Sequence, residues 1–341
     1  MRNHILVVMF VCTCAGGMGL YPASLPQAYA EEAPSSIDAS EADPFTRWLE
    51  ALRHEALNKG ISESTLDAAL SRVEAPTQRI IELDRNQPEQ KLSLATYLEQ
   101  RLTPERIAKG KAMLEKHASL LEQIKHQFGV PPRFIVALWG LETSYGGYTG
   151  GFYVIQALAT LAYDERRSAY FRGELLQALQ IIGAGHIEAD KMQGSWAGAM
   201  GQCQFMPSSF SNHAMDGDSD GVIDIWSSIP DVLTSAANYL HEAGWETGYT
   251  WGRKVQVPEQ LDQTLVGLDT RMPLQKWADH GVKRANGSPL PGVDIEASLI
   301  RPDGATGDAW LVYHNFRVIL KWNRSNAFGI AVGTLADALR D

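Results

Sequence analysis

The sequence predicts a mainly helical chain with one small β-containing insertion, and three observations predict it. Apolar residues recur at helical spacing through much of 45–128. A nearly all-apolar run from Pro132 onward is bracketed by Pro131-Pro132 and Gly146-Gly147, which delimit a buried helix of about three turns. Residues 248–302 then change texture, becoming rich in Gly, Pro and Asp with short extended pieces such as Lys254-Val255-Gln256-Val257. Apolar and aromatic segments return over 308–338.

The elements follow in order. Residues 1–30 read as an export signal: Arg2 and His4 precede the apolar run Ile5–Val11, and Ala28-Tyr29-Ala30 offers a small-x-small cleavage site. The run is too short and interrupted for a membrane span. Cys12 and Cys14 lack the small preceding residue of a lipid-anchor site, so a soluble product cleaved after Ala30 is expected in the periplasm. Residues 31–44 are a polar, acidic lead-in. A helix follows with Phe45, Trp48, Leu49, Leu52, Ala56 and Leu57 on one face, ended by Gly60. A short helix starts near Ser64, with Leu66, Ala69 and Leu70 inward, and Pro76 and Pro88 break up 75–90. Thr103-Pro104 opens a long helix with Ile107, Leu114, Leu121 and Phe128 every seven residues, closed by Gly129. Further helical runs are expected at 165–183 and 231–243.

The 341 residues are 45% hydrophobic and 21% charged, an ordinary globular composition, with a formal net charge of -10. That acidity argues against a nucleic-acid partner. Nine Trp and eleven Tyr suit either core packing or a carbohydrate cleft. Of three cysteines only Cys203 lies beyond the signal; it reads as a small buried residue rather than a nucleophile.

The sharpest feature is Glu142, at the C-terminal end of the apolar helix, with Leu138, Trp139 and Tyr145 as helical neighbours. Apolar surroundings and the negative end of the helix dipole both favour the protonated carboxyl. That is the state an acid needs to protonate a glycosidic oxygen. A Glu tied to an Arg or to backbone amides is the alternative. A second segment, Gly194-Ser195-Trp196-Ala197-Gly198-Ala199-Met200-Gly201-Gln202-Cys203-Gln204-Phe205-Met206-Pro207-Ser208-Ser209, combines close-approach residues at 197, 198, 199 and 201 with the neutral hydrogen-bonding groups of Ser195 and Gln204. Tight packing of a Gly/Ala-rich turn explains it equally.

The pair ALWGLETSYG and GSWAGAMGQCQFMPSSF resembles the catalytic and glycan-binding motifs of the membrane-bound lytic transglycosylase B family (glycoside hydrolase family 103). So do IQALATLAYDERRSAYFRGEL, DIWSSIPDVLTSAANYLHEAGW and YHNFRVILKWNRSNAFGIAV, and the similarity runs from about residue 45 to the C-terminus. The resemblance implies a lysozyme-like core over 119–247 and 303–341, a helical N-terminal domain over 31–118, and 248–302 as the insertion. It implies that Glu142 is the sole catalytic acid and base and leaves 1,6-anhydromuramoyl ends on peptidoglycan. Ser195 and Gln204 match residues that hold substrate and acid, Tyr239 and Asn323 match cleft residues, and Tyr145 stands beside them. Arg166 or Arg167 matches an arginine that meets the peptide stem or muramoyl carboxylate; a solvated helix start is the alternative. Trp322 and Phe328 stand where the family has Tyr, keeping an aromatic face but losing a hydroxyl.

Residues 216–224 carry Asp216, Asp218 and Asp220 at positions 1, 3 and 5 of an EF-hand-like loop, Gly221 at 6, the Val222 backbone at 7 and Asp224 at 9. Position 12 is Ser227 rather than Glu; the longer family loop puts the last ligand on Asp231. A structural Ca2+ is expected, with an ion-free Asp-rich turn as the alternative. No organic cofactor is expected, and the partners are glycan strands, with other cell-wall enzymes a further option and a monomer expected. Two rivals stand: a hydrolytic muramidase, which needs a second carboxylate from Asp164, Glu165 or Glu174, and a non-catalytic wall-binding protein.

Overall fold

A computed structural model describes residues 43–86 and 92–340. The export signal with Cys12 and Cys14, Pro88, and all of the lead-in but its last two residues lie outside the described residues. Among those described, no helix is long and apolar enough to cross a membrane.

Four short helices open the chain: α1 (Pro44–Asn58), α2 (Glu63–Leu70), α3 (Gln78–Asn86) and α4 (Leu94–Arg101). Asp43, Ser62 and Ser93 cap α1, α2 and α4 with side-chain oxygens that accept from amides of the first turn. The helix α3 forms between the two prolines expected to break this stretch, with Ile80 and Asp84 buried.

The long helix expected from Thr103 to Gly129 is two helices, α5 (Pro104–Lys116) and α6 (Ala118–Phe128), parted at His117. Neither Gly nor Pro marks the break. A seven-residue apolar spacing keeps its stripe inward on one helix or on two, so the pattern cannot locate it. The His117 ring sits edge-on to Trp139, 6.0 Å between centroids. Gly129, at φ 71, closes α6 in the left-handed conformation.

The buried helix is α7 (Pro132–Thr143), and every residue from Phe134 to Thr143 is buried. It packs against α5, α6, α11 (Ile229–Glu242) and α14 (Asn326–Ala338), which is why it is apolar all round. Cutting the fully buried Leu138 to Ala costs about 2–5 kcal/mol by transfer and cavity terms.

The hairpin-like pair β1 (Phe152–Tyr153) and β2 (Gln193–Gly194) encloses α8 (Val154–Tyr163) and α9 (Ser168–Gly183). The sequence signalled α9 but not α8, whose apolar run is short enough to suit helix or strand. Then come α10 (Pro207–His213) and α11. One hydrophobic core runs from Phe45 to Leu339 and joins these helices.

The insertion holds β3 (Gly252–Gln256), β4 (Met272–Pro273), α12 (Leu274–Asp279), β5 (Lys283–Arg284) and β6 (Glu296–Ile300). A further strand, β7 (Ala309–Val312), lies beyond residue 302 yet sits in the middle of the five-stranded antiparallel sheet, ordered β4-β6-β7-β3-β5. The sheet has its own small core around Trp277, Leu299 and Leu311. Two helices, α13 (His314–Trp322) and α14, return the chain to the main core.

Candidate active site

Glu142 sits in the last turn of α7, 4% exposed. The helix is stopped by three successive left-handed residues: Ser144 (φ 52), Tyr145 (φ 60) and Gly146 (φ 74). The amides of Ser144 and Tyr145 donate back to Gly140 O at 3.1 Å and Trp139 O at 3.2 Å, satisfying the orphan carbonyls. Non-glycine residues in this region are strained and concentrate at functional sites. Two cations hold the turn from outside: Arg106 Nη2 donates to Ser144 Oγ at 3.1 Å and Lys109 Nζ to Ser144 O at 2.8 Å.

Tyr145, expected among the substrate residues, is turned away from the cleft. Its hydroxyl donates to Arg106 O at 2.8 Å, and its ring fills the space left open by the glycines at 110 and 140. Burial pushes its phenol up to about 12. It braces the turn after Glu142 rather than lining the pocket beside Trp322.

The loop 194–205 clamps α7 from the other side. Thr143 Oγ1 donates to Gln202 O at 3.0 Å, and Trp139 Nε1 to Gln202 Oε1 at 2.8 Å, while Gln202 Nε2 donates to Trp226 O at 2.9 Å. Gln202 was not among the expected residues; a buried Trp needing a partner for its N–H was the available signal. Ser195 Oγ accepts from Ala199 N at 3.0 Å and closes its own turn. Gln204, at φ 50, donates Nε2 to Thr149 O at 2.8 Å and Gly201 O at 3.0 Å. The small residues serve close packing: a Cβ on Gly201 would stand 2.6 Å from Ile225 O. Cys203 is buried, with its thiol pushed up mainly by burial and its Sγ–H donating to Val232 O at 3.2 Å, which suits a core residue rather than a nucleophile.

A pocket opens next to this clamp, walled by Gln204, Phe205, Tyr239, Trp322, Asn323 and Arg324 together with Tyr170. Trp322 stands 4.8 Å from the Tyr239 ring and 5.2 Å from Phe205, and its Nε1 donates to Glu142 Oε1 at 2.7 Å. The hydroxyl expected to be lost at this position is therefore replaced by an indole N–H. Tyr239 donates its hydroxyl to Lys321 O at 2.7 Å, and burial, opposed by the Arg324 charge, pushes its phenol up to about 12. Asn323 Oδ1 accepts from Ser325 N at 3.0 Å, shaping the turn into α14. So Gln204, Tyr239, Trp322 and Asn323 meet at one pocket; Tyr170 and Arg324 join them without having been expected.

Arg166 and Arg167 do not line this pocket. Both guanidinium groups pair with the buried carboxylate of Asp84, one on each oxygen. A carboxylate 5% exposed needs such compensation, and the pairing holds both arginines outside the pocket beside Trp322.

In the acidic loop, carboxylate oxygens of Asp216, Asp218 and Asp231 lie within 4.8 Å of one another. Asp231 is wholly buried, and its oxygens accept from Gly217 N at 2.8 Å and Asp224 N at 2.6 Å. Asp220 lies outside that group, its Oδ1 accepting from Val222 N at 2.8 Å, and Val222 itself is exposed. Asp224 accepts from the amides of Trp226 and Ser227, both at 2.8 Å. Three converging carboxylates, one of them without access to water, fit a hard divalent cation.

The helical core, with its acid at the end of a buried helix and a sheet inserted before the last helices, is that of the lysozyme-like lytic transglycosylases. Pseudomonas aeruginosa SltB3, solved with NAG-NAM-pentapeptide and with NAG-anhNAM-pentapeptide, is similar at 44% identity over 87% of this chain and 80% of that one, with TM-scores of 0.84 and 0.83. Escherichia coli SLT35, solved in complex with calcium, matches at 29% identity over 87% of this chain and 92% of that one, with a TM-score of 0.74. The Escherichia coli membrane-bound lytic murein transglycosylase B is 34% identical over 245 residues, 71% of this chain and 66% of that protein's length. A family model described as the transglycosylase SLT domain matches residues 44–337, and the chain belongs to that family.

Proposed function

We propose that this chain is a lytic murein transglycosylase that cleaves the bond between N-acetylmuramic acid and N-acetylglucosamine, with Glu142 as its single acid and base. The observation that carries the reading is a buried carboxyl hydrogen-bonded to Trp322, a wall of a sugar-sized aromatic pocket. Glu142 gives its proton to the glycosidic oxygen while the bond from that oxygen to the muramoyl C1 breaks, its electron pair leaving with the oxygen. The acetamido group of the same sugar assists at C1. The carboxylate then takes the proton of the C6 hydroxyl as that oxygen bonds to C1. A 1,6-anhydro end forms, no water is consumed, and Glu142 regains its proton.

The hydrolytic rival wants a second carboxylate, and none of the three candidates lines the Trp322 pocket. Asp164 accepts from Arg85 at 3.0 Å, and Glu165 lies with Arg85 and Arg166 at a separate surface pocket. Glu174 is buried and accepts from Ser208 N at 2.8 Å and Ser208 Oγ at 2.7 Å. The deciding experiment digests peptidoglycan with wild type and Glu142→Gln and weighs the product ends. Wild type should release muropeptides lighter by one water than hydrolysis products. The Gln variant should bind glycan and release none; continued release by that variant would remove Glu142 from its role.

The same reading extends to the surroundings. Asp216, Asp218 and Asp231 would hold a structural Ca2+, fixing the segment between Gln204 and Tyr239 without touching the bond that breaks. A periplasmic location, on glycan strands, goes with that substrate.

A further inference from the structure

The pocket beside Trp322 has a charge pattern opposite to that of the chain. Its described lining contains two cations, Lys321 and Arg324, and no carboxylate, although the sequence carries 40 acidic residues against 30 basic ones. Lys321 is committed, because its Nζ donates to Ala243 O at 2.7 Å. Arg324 is exposed and has no hydrogen-bond or ion-pair partner among the described residues. Its backbone is nevertheless well placed. The preceding Asn323 is buried with its carboxamide bonded to Ser325 N, and the following Ser325 caps α14. Arg324 is therefore held at a fixed point of the pocket wall with its guanidinium unspent. The arginines at 166 and 167 share Asp84 and do not line this pocket.

We propose that Arg324 recognises a carboxylate carried by the sugar that binds in this pocket, a specificity contact that rests on the glycan-cleaving reading above. A guanidinium presents a planar fork of donors that matches a carboxylate two-on-two, and unlike Lys it is weakly hydrated. A muramoyl unit offers that chemistry from two sources: the lactyl carboxylate when no peptide is attached, or the carboxylates of the stem peptide when one is. N-acetylglucosamine offers neither. Arg324 thus discriminates between sugars that share a ring and an acetamido group but differ in charge.

The test measures kcat and KM for wild type, Arg324→Gln and Arg324→Lys on three strands: glycan with intact stem peptides, glycan stripped of peptide, and an uncharged chitin oligosaccharide. Binding of the same three is titrated on a Glu142→Gln background, so the readout does not require turnover. Lys283→Gln, on an exposed strand of the sheet, controls for net charge. Arg324→Gln should raise KM and weaken binding about tenfold on carboxylate-bearing strands, the loss of one charge-assisted hydrogen bond, with kcat nearly kept. Arg324→Lys should recover part of that loss, and chitin binding should not move. An effect confined to stripped strands assigns the lactyl carboxylate, and one confined to intact strands assigns the stem. Equal losses on charged and uncharged strands, or no loss, overturn the proposal. Wild type that binds charged strands through Arg324 but never cleaves them would instead sink the catalytic reading and leave this one standing.

Discussion

The indole Nε1 of Trp322 donates to Oε1 of Glu142 at 2.7 Å, joining residues 180 apart in sequence. An indole can only donate, so it fixes the carboxyl without competing for its proton. Edge contacts with Tyr239 and a tilted contact with Phe205 hold the ring in place. Replacing Trp322 by Phe keeps a ring and deletes the donor. Glu142 becomes a carboxylate as it gives up its proton, and a hydrogen bond to a charged group is worth about 1.5–3 kcal/mol, so kcat should fall about tenfold or more while the melting temperature barely moves. Trp322→Tyr should regain part of the rate. An unchanged kcat in the Phe variant would show that the bond does not orient the acid.

Asp84 joins α3 to the start of α9 through both Arg166 and Arg167. Removing one member of a buried ion pair strands the other charge. Arg167 is mostly covered, at 16% side-chain exposure, whereas Arg166 is half exposed at 49%. Asp84→Ala should therefore cost about 3 kcal/mol, and Arg166→Ala under about 1 kcal/mol, both read by denaturant unfolding. Neither arginine lines the Trp322 pocket, so kcat per folded molecule should hold. A large loss of kcat in Asp84→Ala at full folding would return these arginines to the cleft.

Burial is the main cause that raises Asp231 above the usual carboxylate range; the charge of Asp218 acts with it, against the amides of Asp224 and Gly217. Without a cation, ionising Asp231 is therefore harder in the fold than in the unfolded chain. The cost of its ionisation is felt above the raised folded pKa and is relieved as pH falls through it. A bound cation requires the ionised form, so protons and calcium compete. Calcium at about 100 times its Kd should stabilise the protein by about 2.7 kcal/mol near pH 7, seen as a rise in melting temperature. The rise should shrink as pH falls toward the titration of Asp231, and Asp231→Asn should abolish it. No calcium-dependent rise at neutral pH would remove the metal from this loop.

Much of the architecture is written locally. Capping side chains at Asp43, Ser62, Ser93 and Thr103 set helix starts through contacts within three residues, and Gly129 sets a helix end through one backbone angle. Such short-range signals survive in a linear reading. The break at His117 and the helix α8 left no such mark, because apolar spacing there fits more than one arrangement.

By itself the sequence determined that Glu142 ends an apolar helix and that three Asp alternate before a Gly turn, because both patterns depend on neighbours along the chain. Only the tertiary structure decided which charges remain available. It set Arg166 and Arg167 against Asp84 across more than 80 residues, brought Asp231 to Asp216 and Asp218, turned Tyr145 onto Arg106, and left Arg324 open beside Trp322. The physical reason is that burying a charge or a polar group forces it to find a partner, and that partner is chosen by the packing of distant elements rather than by sequence separation.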